Sequence, residues 1–426
     1  MERGGWTRRR RSAPEGVVRV HRPDKLILVM TFVLMLVGLL MIYAIGPQRA
    51  NLMNSVFGYE YSDQYFFFKQ AASFGLALIA FFAAYKIPYE FILKHGTKML
   101  WIGFAACIGL ALASMVGIVE GTYGAVRWIN LGPLGSIQPS EILKFGLLLY
   151  MAVFLGMRMK EKAVNDIHKT LIPLGIVVGL ALFLVVVVQK DLGTGISLAA
   201  VAGAMLFMAG LSKKFLSILG ITTLVLGLAL IFTAPHRVER VMTFLQGDNT
   251  SVSDADAYHI QHAKIAIGSG GLFGVGIGGS VQASGYLPEA INDSIFAIIG
   301  ETFGFIGTMA LVALFVTLLM RLLNTMDHLI DPRLRLLVAG VFGWLAAHVI
   351  LNIAAMIGIF PLTGITLPLL SYGGTSMIFI TAALGLAFQL SRYTVHTSQL
   401  KETPGNEDSR SRRGVGRTRH TSRRSS

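Results

Sequence analysis

The sequence predicts an all-α polytopic membrane protein, and three observations carry that prediction. Hydrophobic residues make up 54% of the 426-residue chain and charged ones 14%, against about 25% charged in an ordinary soluble domain. Ten apolar runs are each long enough to cross a hydrocarbon core of about 30 Å: 25–46, 66–85, 98–119, 139–157, 170–189, 191–210, 215–234, 293–320, 333–358 and 372–391. Lys and Arg, finally, gather in alternate connections between those runs.

The first run is too long, and too closely followed by others, to be a cleaved signal peptide. With the N-terminus in the cytoplasm, inner segments hold 29 of the 37 Lys and Arg residues. The outer ones hold Arg49, Arg127, Lys190, Arg237, Arg240 and Lys264. This is the positive-inside pattern, and it predicts an N-in/C-in topology of ten transmembrane helices. Residues 1–24 and 396–426 are rich in Arg, Ser and Gly and read as disordered basic cytoplasmic tails. Between them, 25–395 forms one membrane domain. The tail charge suits topology and anionic lipid; Arg runs alone do not indicate nucleic acid. The lone Cys107 lies inside the third run, so no disulfide is available.

The fourth run carries the first chemistry. Glu141 and Lys144 are three apart and share a helix face, just after Gln138, Pro139 and Ser140. Pro139 suits a first helical turn, and Gln138 or Ser140 can satisfy its free amides. The pair is either a self-neutralising structural element or the lining of a polar cavity. Asp191 sits in a tight turn between the fifth and sixth runs, as a helix cap or as a partner of Lys144 or Arg127.

Two outer connections are long, 120–138 and 235–292, and loops of such length are usually functional. The first holds Tyr123, Arg127 and Trp128. In the second, His259 and His262 are spaced three apart on a short helix, with no third ligand nearby to make a metal site. Gly274, Gly276 and Gly279 satisfy G-x-G-x-x-G, but no β–α unit surrounds them. No organic cofactor is expected, and these glycines are read as letting backbone approach a ligand. The loop then runs through Glu289 and Asp293 into the eighth run, with Glu301 near its start. A carboxylate at the mouth of a membrane helix is costly and usually functional, although an Asp there can also be a plain N-cap. In the last outer turn, Pro361, Gly364 and Pro368 break helix before Ser371-Tyr372-Gly373-Gly374. Irregular backbone at membrane depth must be buried in protein or line a cavity. Three polar or broken elements can thus converge over one cavity.

Gln138-Pro139-Ser140-Glu141 with Lys144, Asp191-Leu192-Gly193-Thr194, Leu287-Pro288-Glu289-Ala290 with Asp293, and Pro361 through Gly374 together resemble the signature blocks of the SEDS family. This is the RodA, FtsW and SpoVE group of peptidoglycan polymerases. The resemblance runs in order through 25–395, and Thr363-Gly364 with the 278–290 segment is more similar to FtsW than to RodA. Departures are Ile291-Asn292 where the family has His-Thr, Thr302 for a second Glu, Lys190 for Pro, and Val126 for a basic residue.

The resemblance implies a multi-pass enzyme of the bacterial plasma membrane, serving cell division or elongation, that joins lipid II into β-1,4 glycan strands on the outer face. It implies Asp293 as the catalytic base. It also implies a substrate site drawn from Arg127, Gln138, Ser140, Glu141, Lys144, Asp191, Glu289, Glu301, Ser371, Gly373 and Gly374. Inversion at an α-linked diphosphate donor fits one in-line displacement. Diphosphate leaves without a proton, unlike the leaving group in two-carboxylate hydrolases, so one base on the acceptor hydroxyl suffices. Arg127, Lys144 or a divalent cation (Mg or Mn) would meet the developing charge. Implied partners are a class B penicillin-binding transpeptidase and other divisome or elongasome proteins. Readings from other classes are a transporter that flips lipid II, and a scaffold that recruits division proteins through its tails. Against the transporter, no inverted repeat is visible.

Overall fold

The structure is a computed structural model, and it describes residues 21–117, 127–130, 135–232, 238, 241–242 and 255–394. The tails up to residue 20 and from 395 onward, Tyr123 and Val126, and Arg237 and Arg240 lie outside the described residues. Helices occupy the apolar runs: α1 Lys25–Phe57, α2 Tyr65–Lys86, α3 Tyr89–Met115, α4 Pro139–Lys160, α5 Ile167–Val188, α6 Leu192–Met208 and α7 Lys213–Phe232. They continue, after α8 Ala255–Ser269, with α9 Ile295–Asp327, α10 Pro332–Met356 and α11 Gly374–Leu390. Among the described residues, eight helices are long and apolar enough to cross a membrane, and Leu192–Met208 is an apolar helix just short of that length. One departure from an all-helical chain is a small antiparallel ribbon, Ile129–Asn130 (β1) against Ser136–Ile137 (β2).

Helix α1 runs eleven residues beyond its apolar stretch, through Pro47, and ends at Gly58 in the left-handed conformation (φ 70°). That extension carries Arg49 toward the 286–294 turn. Helices α3 and α4 cross at glycines: a Cβ on Gly103 would lie 2.5 Å from Leu143 Cα, and one on Gly146 2.6 Å from Leu100 N. Without a hydrophobic drive between helices in lipid, such close backbone contact supplies the packing.

Helix α9 is not the continuous span its sequence suggests. Gly304 adopts φ 67° and ψ −164° inside it, a conformation open to glycine. The orphaned backbone groups bond to the glycine-rich segment after α8. Val275 N donates to Glu301 O at 2.9 Å and Gly276 N to Thr302 O at 3.0 Å. Phe305 N donates to Gly271 O at 2.8 Å and Ile306 N to Leu272 O at 3.1 Å. The glycines of this loop therefore let it approach a broken helix closely. A Cβ on Gly274 would meet Thr302 O at 2.2 Å.

Residues 21–24, grouped with the tail by composition, are ordered and tied to the other end of the chain. His21 N donates to Arg392 O at 3.0 Å and Asp24 N to Ser391 Oγ at 2.8 Å. Asp24 caps α1 through Leu26 N and pairs with Arg321 at 2.6 Å. A polar backbone start needs such partners, and the end of α11 supplies them.

Candidate active site

The segment 357–373 joins the polar elements of one end of the molecule. Gly364 (φ 68°) and Leu369 (φ 69°) turn the backbone sharply, and Ser371 Oγ accepts from Leu367 N at 2.8 Å to close a local turn. Tyr372 N donates to Ile291 O at 2.8 Å, which fastens this segment to the Asp293 turn. Gln70 of α2 holds it from behind, accepting from Gly373 N and donating to Ser371 O, both at 3.3 Å. Gly374 opens α11, and Thr375 Oγ1 donates to Ser136 O at 2.6 Å. Gly193 lies so close that a Cβ there would be 2.9 Å from Thr363 O. The last connection thus touches the Asp293 turn, the ribbon before α4 and the start of α6.

Asp293 is half-buried and lies two residues before α9, whose N-cap position is taken by Ser294. It is therefore neither the cap nor part of the first helical turn. What fixes Asp293 is its backbone: Asn352 Nδ2 of α10 donates to Asp293 O at 2.7 Å and to Ile365 O at 2.8 Å. Ser294 Oγ donates to Pro288 O at 2.9 Å and lies 2.6 Å from His259 Nε2, which leaves the imidazole N–H as donor in that contact. An imidazole from α8 thus reaches the residue beside Asp293, where the family's adjacent His is replaced by Ile291. His262 turns elsewhere, to Gln282 Oε1 at 2.7 Å. The two histidines do not converge on one point.

Glu289 sits in the same turn with φ 50°, a strained backbone for a non-glycine residue. Its carboxylate accepts from Asn292 Nδ2 and lies 3.9 Å from Arg49. Arg49 is the cation the sequence reading passed over; its only signal was its scarcity among outer basic residues.

The α4 pair is real and deeply buried. Lys144 Nζ is 2.8 Å from Glu141 Oε1 and 4.5 Å from the ring centre of Trp344. Glu141 Oε2 and the neighbouring Ser140 Oγ are buried with no hydrogen-bond partner. Neither Gln138 nor Ser140 caps α4. Gln138 instead donates to Asp191 Oδ2 at 3.0 Å. Asp191 caps α6 through Thr194 N at 3.0 Å and Thr194 Oγ1 at 2.8 Å. Of its two predicted roles, the cap is the one formed. Arg127 does not reach the Asp191 carboxylate; it donates to the carbonyls of Gln189 and Lys190.

Glu301 stands apart from Asp293. It is buried and accepts from Ser280 Oγ at 2.5 Å, Val281 N at 3.0 Å and Gln282 N at 3.3 Å. It anchors the loop after α8. Gln70 and Asn352, the two side chains that clamp the site's backbone, are uncharged polar residues at 2% and 1% exposure. Their signal was a polar side chain within an apolar span.

A family model described as "Cell cycle protein", for FtsW, RodA and SpoVE, matches residues 24–396. Stage V sporulation protein E of Bacillus subtilis is 34% identical over 374 residues, covering 87% of this chain and 98% of that protein. A probable peptidoglycan glycosyltransferase FtsW of Taylorella equigenitalis is 33% identical, covering 76% and 88%. Among solved structures, the fold resembles a chain of a peptidoglycan synthase complex (TM-score 0.68, 24% identity, covering 87% and 98%). It also resembles the rod shape determining protein RodA of Thermus thermophilus (TM-score 0.60, 24% identity, covering 90% and 100%). With its blocks assembled on that fold and the family match running almost end to end, the chain belongs to the SEDS family of FtsW, RodA and SpoVE proteins.

Proposed function

We propose that this protein is a peptidoglycan glycosyltransferase that polymerises lipid II into β-1,4 glycan strands in cell division, with Asp293 as general base. Relatives named peptidoglycan glycosyltransferase FtsW support the activity. The observation that carries the assignment of the base is the fixing of its turn from two sides, by Asn352 on Asp293 O and by Tyr372 N on Ile291 O. A base must be held to a fraction of an ångström to act on an acceptor hydroxyl.

In this reading the ten apolar helices all cross the bacterial plasma membrane, both termini are cytoplasmic, and the 286–294 and 357–373 segments face outward. Asp293 takes the proton from the acceptor's 4-hydroxyl as that oxygen attacks the donor's anomeric carbon and the bond to diphosphate breaks. Arg49, beside Glu289, is placed to meet phosphate charge, and Arg127 is a second candidate. Among the described residues no three His, Cys, Asp or Glu side chains gather to hold a metal, so a cation would rely on Glu289 and on the substrate's own phosphates. Mg²⁺ fits such a donor set, since it commonly binds one or two carboxylates plus substrate phosphates. When bound it would neutralise charge on the leaving diphosphate. A class B penicillin-binding transpeptidase would cross-link the strands.

The test is polymerisation of lipid II by the purified full-length protein with Mg²⁺ or Mn²⁺, alone and with its transpeptidase. Asp293→Ala should lower the rate by about 10²–10⁴-fold with its unfolding temperature nearly unchanged. Equal polymer from both proteins would remove Asp293 as the base. Lipid II crossing vesicle membranes without polymer would favour transport instead.

A further inference from the structure

We propose that residues 270–277 form a re-entrant tip seated in the hydrocarbon of the bilayer, in contact with lipid acyl chains. The tip would thus not stand in water as part of a long aqueous loop. Three observations meet on this segment.

The first is depth. Its carbonyls bond to Phe305 N and Ile306 N, so Gly271 and Leu272 sit level with those residues on α9. Arg321, paired with Asp24 where α1 begins, marks the water boundary at the far end of α9. Ile306 is fifteen residues from Arg321, a helical rise of roughly 22 Å at 1.5 Å per residue. That is less than the ~30 Å hydrocarbon thickness, which leaves the tip several ångströms inside the opposite boundary.

The second is the surface it presents. Leu272 is 62% exposed, Phe273 79%, Val275 45% and Ile277 57%. On α9 beside them, Phe305 and Ile306 are exposed by more than half. A contiguous apolar face of this kind is not left to water without a partner. No charged residue occurs from Ile265 to Pro288, so the segment can enter lipid without desolvating an ion. Continuity with the lipid-facing side of a membrane-length helix identifies the partner as acyl chains.

The third is the backbone. Irregular chain survives in hydrocarbon only when its N–H and C=O groups are satisfied. Here the break at Gly304 and the tip satisfy one another through four hydrogen bonds, two in each direction. A loop in water would not need that reciprocity.

The experiment uses full-length protein in nanodiscs, with Cys107→Ala and single cysteines carrying a bimane label. Phe273→Cys and, should that variant fold poorly, Leu272→Cys report on the tip. Met309→Cys, on the lipid face of α9, and Tyr59→Cys, exposed between α1 and α2, are the two references. The tip label should emit at short wavelength and lose emission with brominated phosphatidylcholine as the Met309 label does. It should resist iodide, which quenches at Tyr59. Iodide quenching at the tip equal to that at Tyr59 would overturn the proposal. So would resistance to both quenchers, because a protein surface would then cover the tip.

Discussion

Glu141 and Glu301 are both 2% exposed, and both lie near the start of a membrane-length helix, yet the structure uses them differently. Glu301 has its oxygens engaged by Ser280 and by two backbone amides, so its capacity is spent holding a loop. Glu141 engages Lys144 with one oxygen, while the other is buried with no hydrogen-bond partner, as is Ser140 Oγ. Burial is equal; saturation is not. A saturated carboxylate is an anchor, and one with an unmet acceptor can still receive a donor. The family resemblance implies both in one substrate site, and of the two only Glu141 keeps an unmet acceptor here.

Removing half of the α4 pair gives the largest effect expected from this contrast. Lys144→Met should cost about 3–5 kcal/mol by leaving Glu141 buried and uncompensated. Adding Glu141→Gln should recover most of the loss, read as thermal unfolding in detergent. Equal losses in the single and double variants would mean the pair is not an energetic unit. Glu301→Gln comes next, at about 1.5–3 kcal/mol for a charge-assisted network. Its signature is local: faster amide exchange over 270–284, with 357–373 unchanged. Exchange spreading to the Asp293 turn would show that anchor and site are not separate.

The smallest effect belongs to a third carboxylate, Asp331, which caps α10 through Arg333 N at 2.9 Å and pairs with the Arg333 side chain at 2.7 Å. Burial alone would raise its pKa, but hydrogen bonds from Arg333 and its charge bring it below the ordinary carboxylate value. Its contribution is therefore complete above the unfolded value of about 3.9 and is lost as pH falls through the lower folded value. Asp331→Asn, still a competent cap, should cost under about 1 kcal/mol at neutral pH. Unfolding midpoints of the two proteins should converge in acid; a constant gap would show that the ion pair contributes nothing.

What could be read in advance was local. The i,i+3 spacing gave the Glu141–Lys144 pair, the turn chemistry gave the Asp191 cap, and hydropathy gave the helices. Contacts between distant segments were hidden. The break at Gly304 depends on Gly271, Leu272, Val275 and Gly276, about thirty residues earlier. Glycine in an apolar run does not by itself announce a break, because membrane helices tolerate it. Gln70, Asn352 and Arg49 act through backbone or side chains far off in sequence, so no spacing rule could pair them with Ser371, Asp293 or Glu289. The position of Asp293 outside the first helical turn could be seen only with Ser294 at the cap.

The contacts at the opposite end of the molecule have a consequence for unfolding. His21 and Asp24 are hydrogen-bonded to Thr394 and Ser391, so the first and last described residues close on each other. Fraying at either one must break the contacts of both, and a Ser391→Ala change should loosen the start of α1 as well as the end of α11.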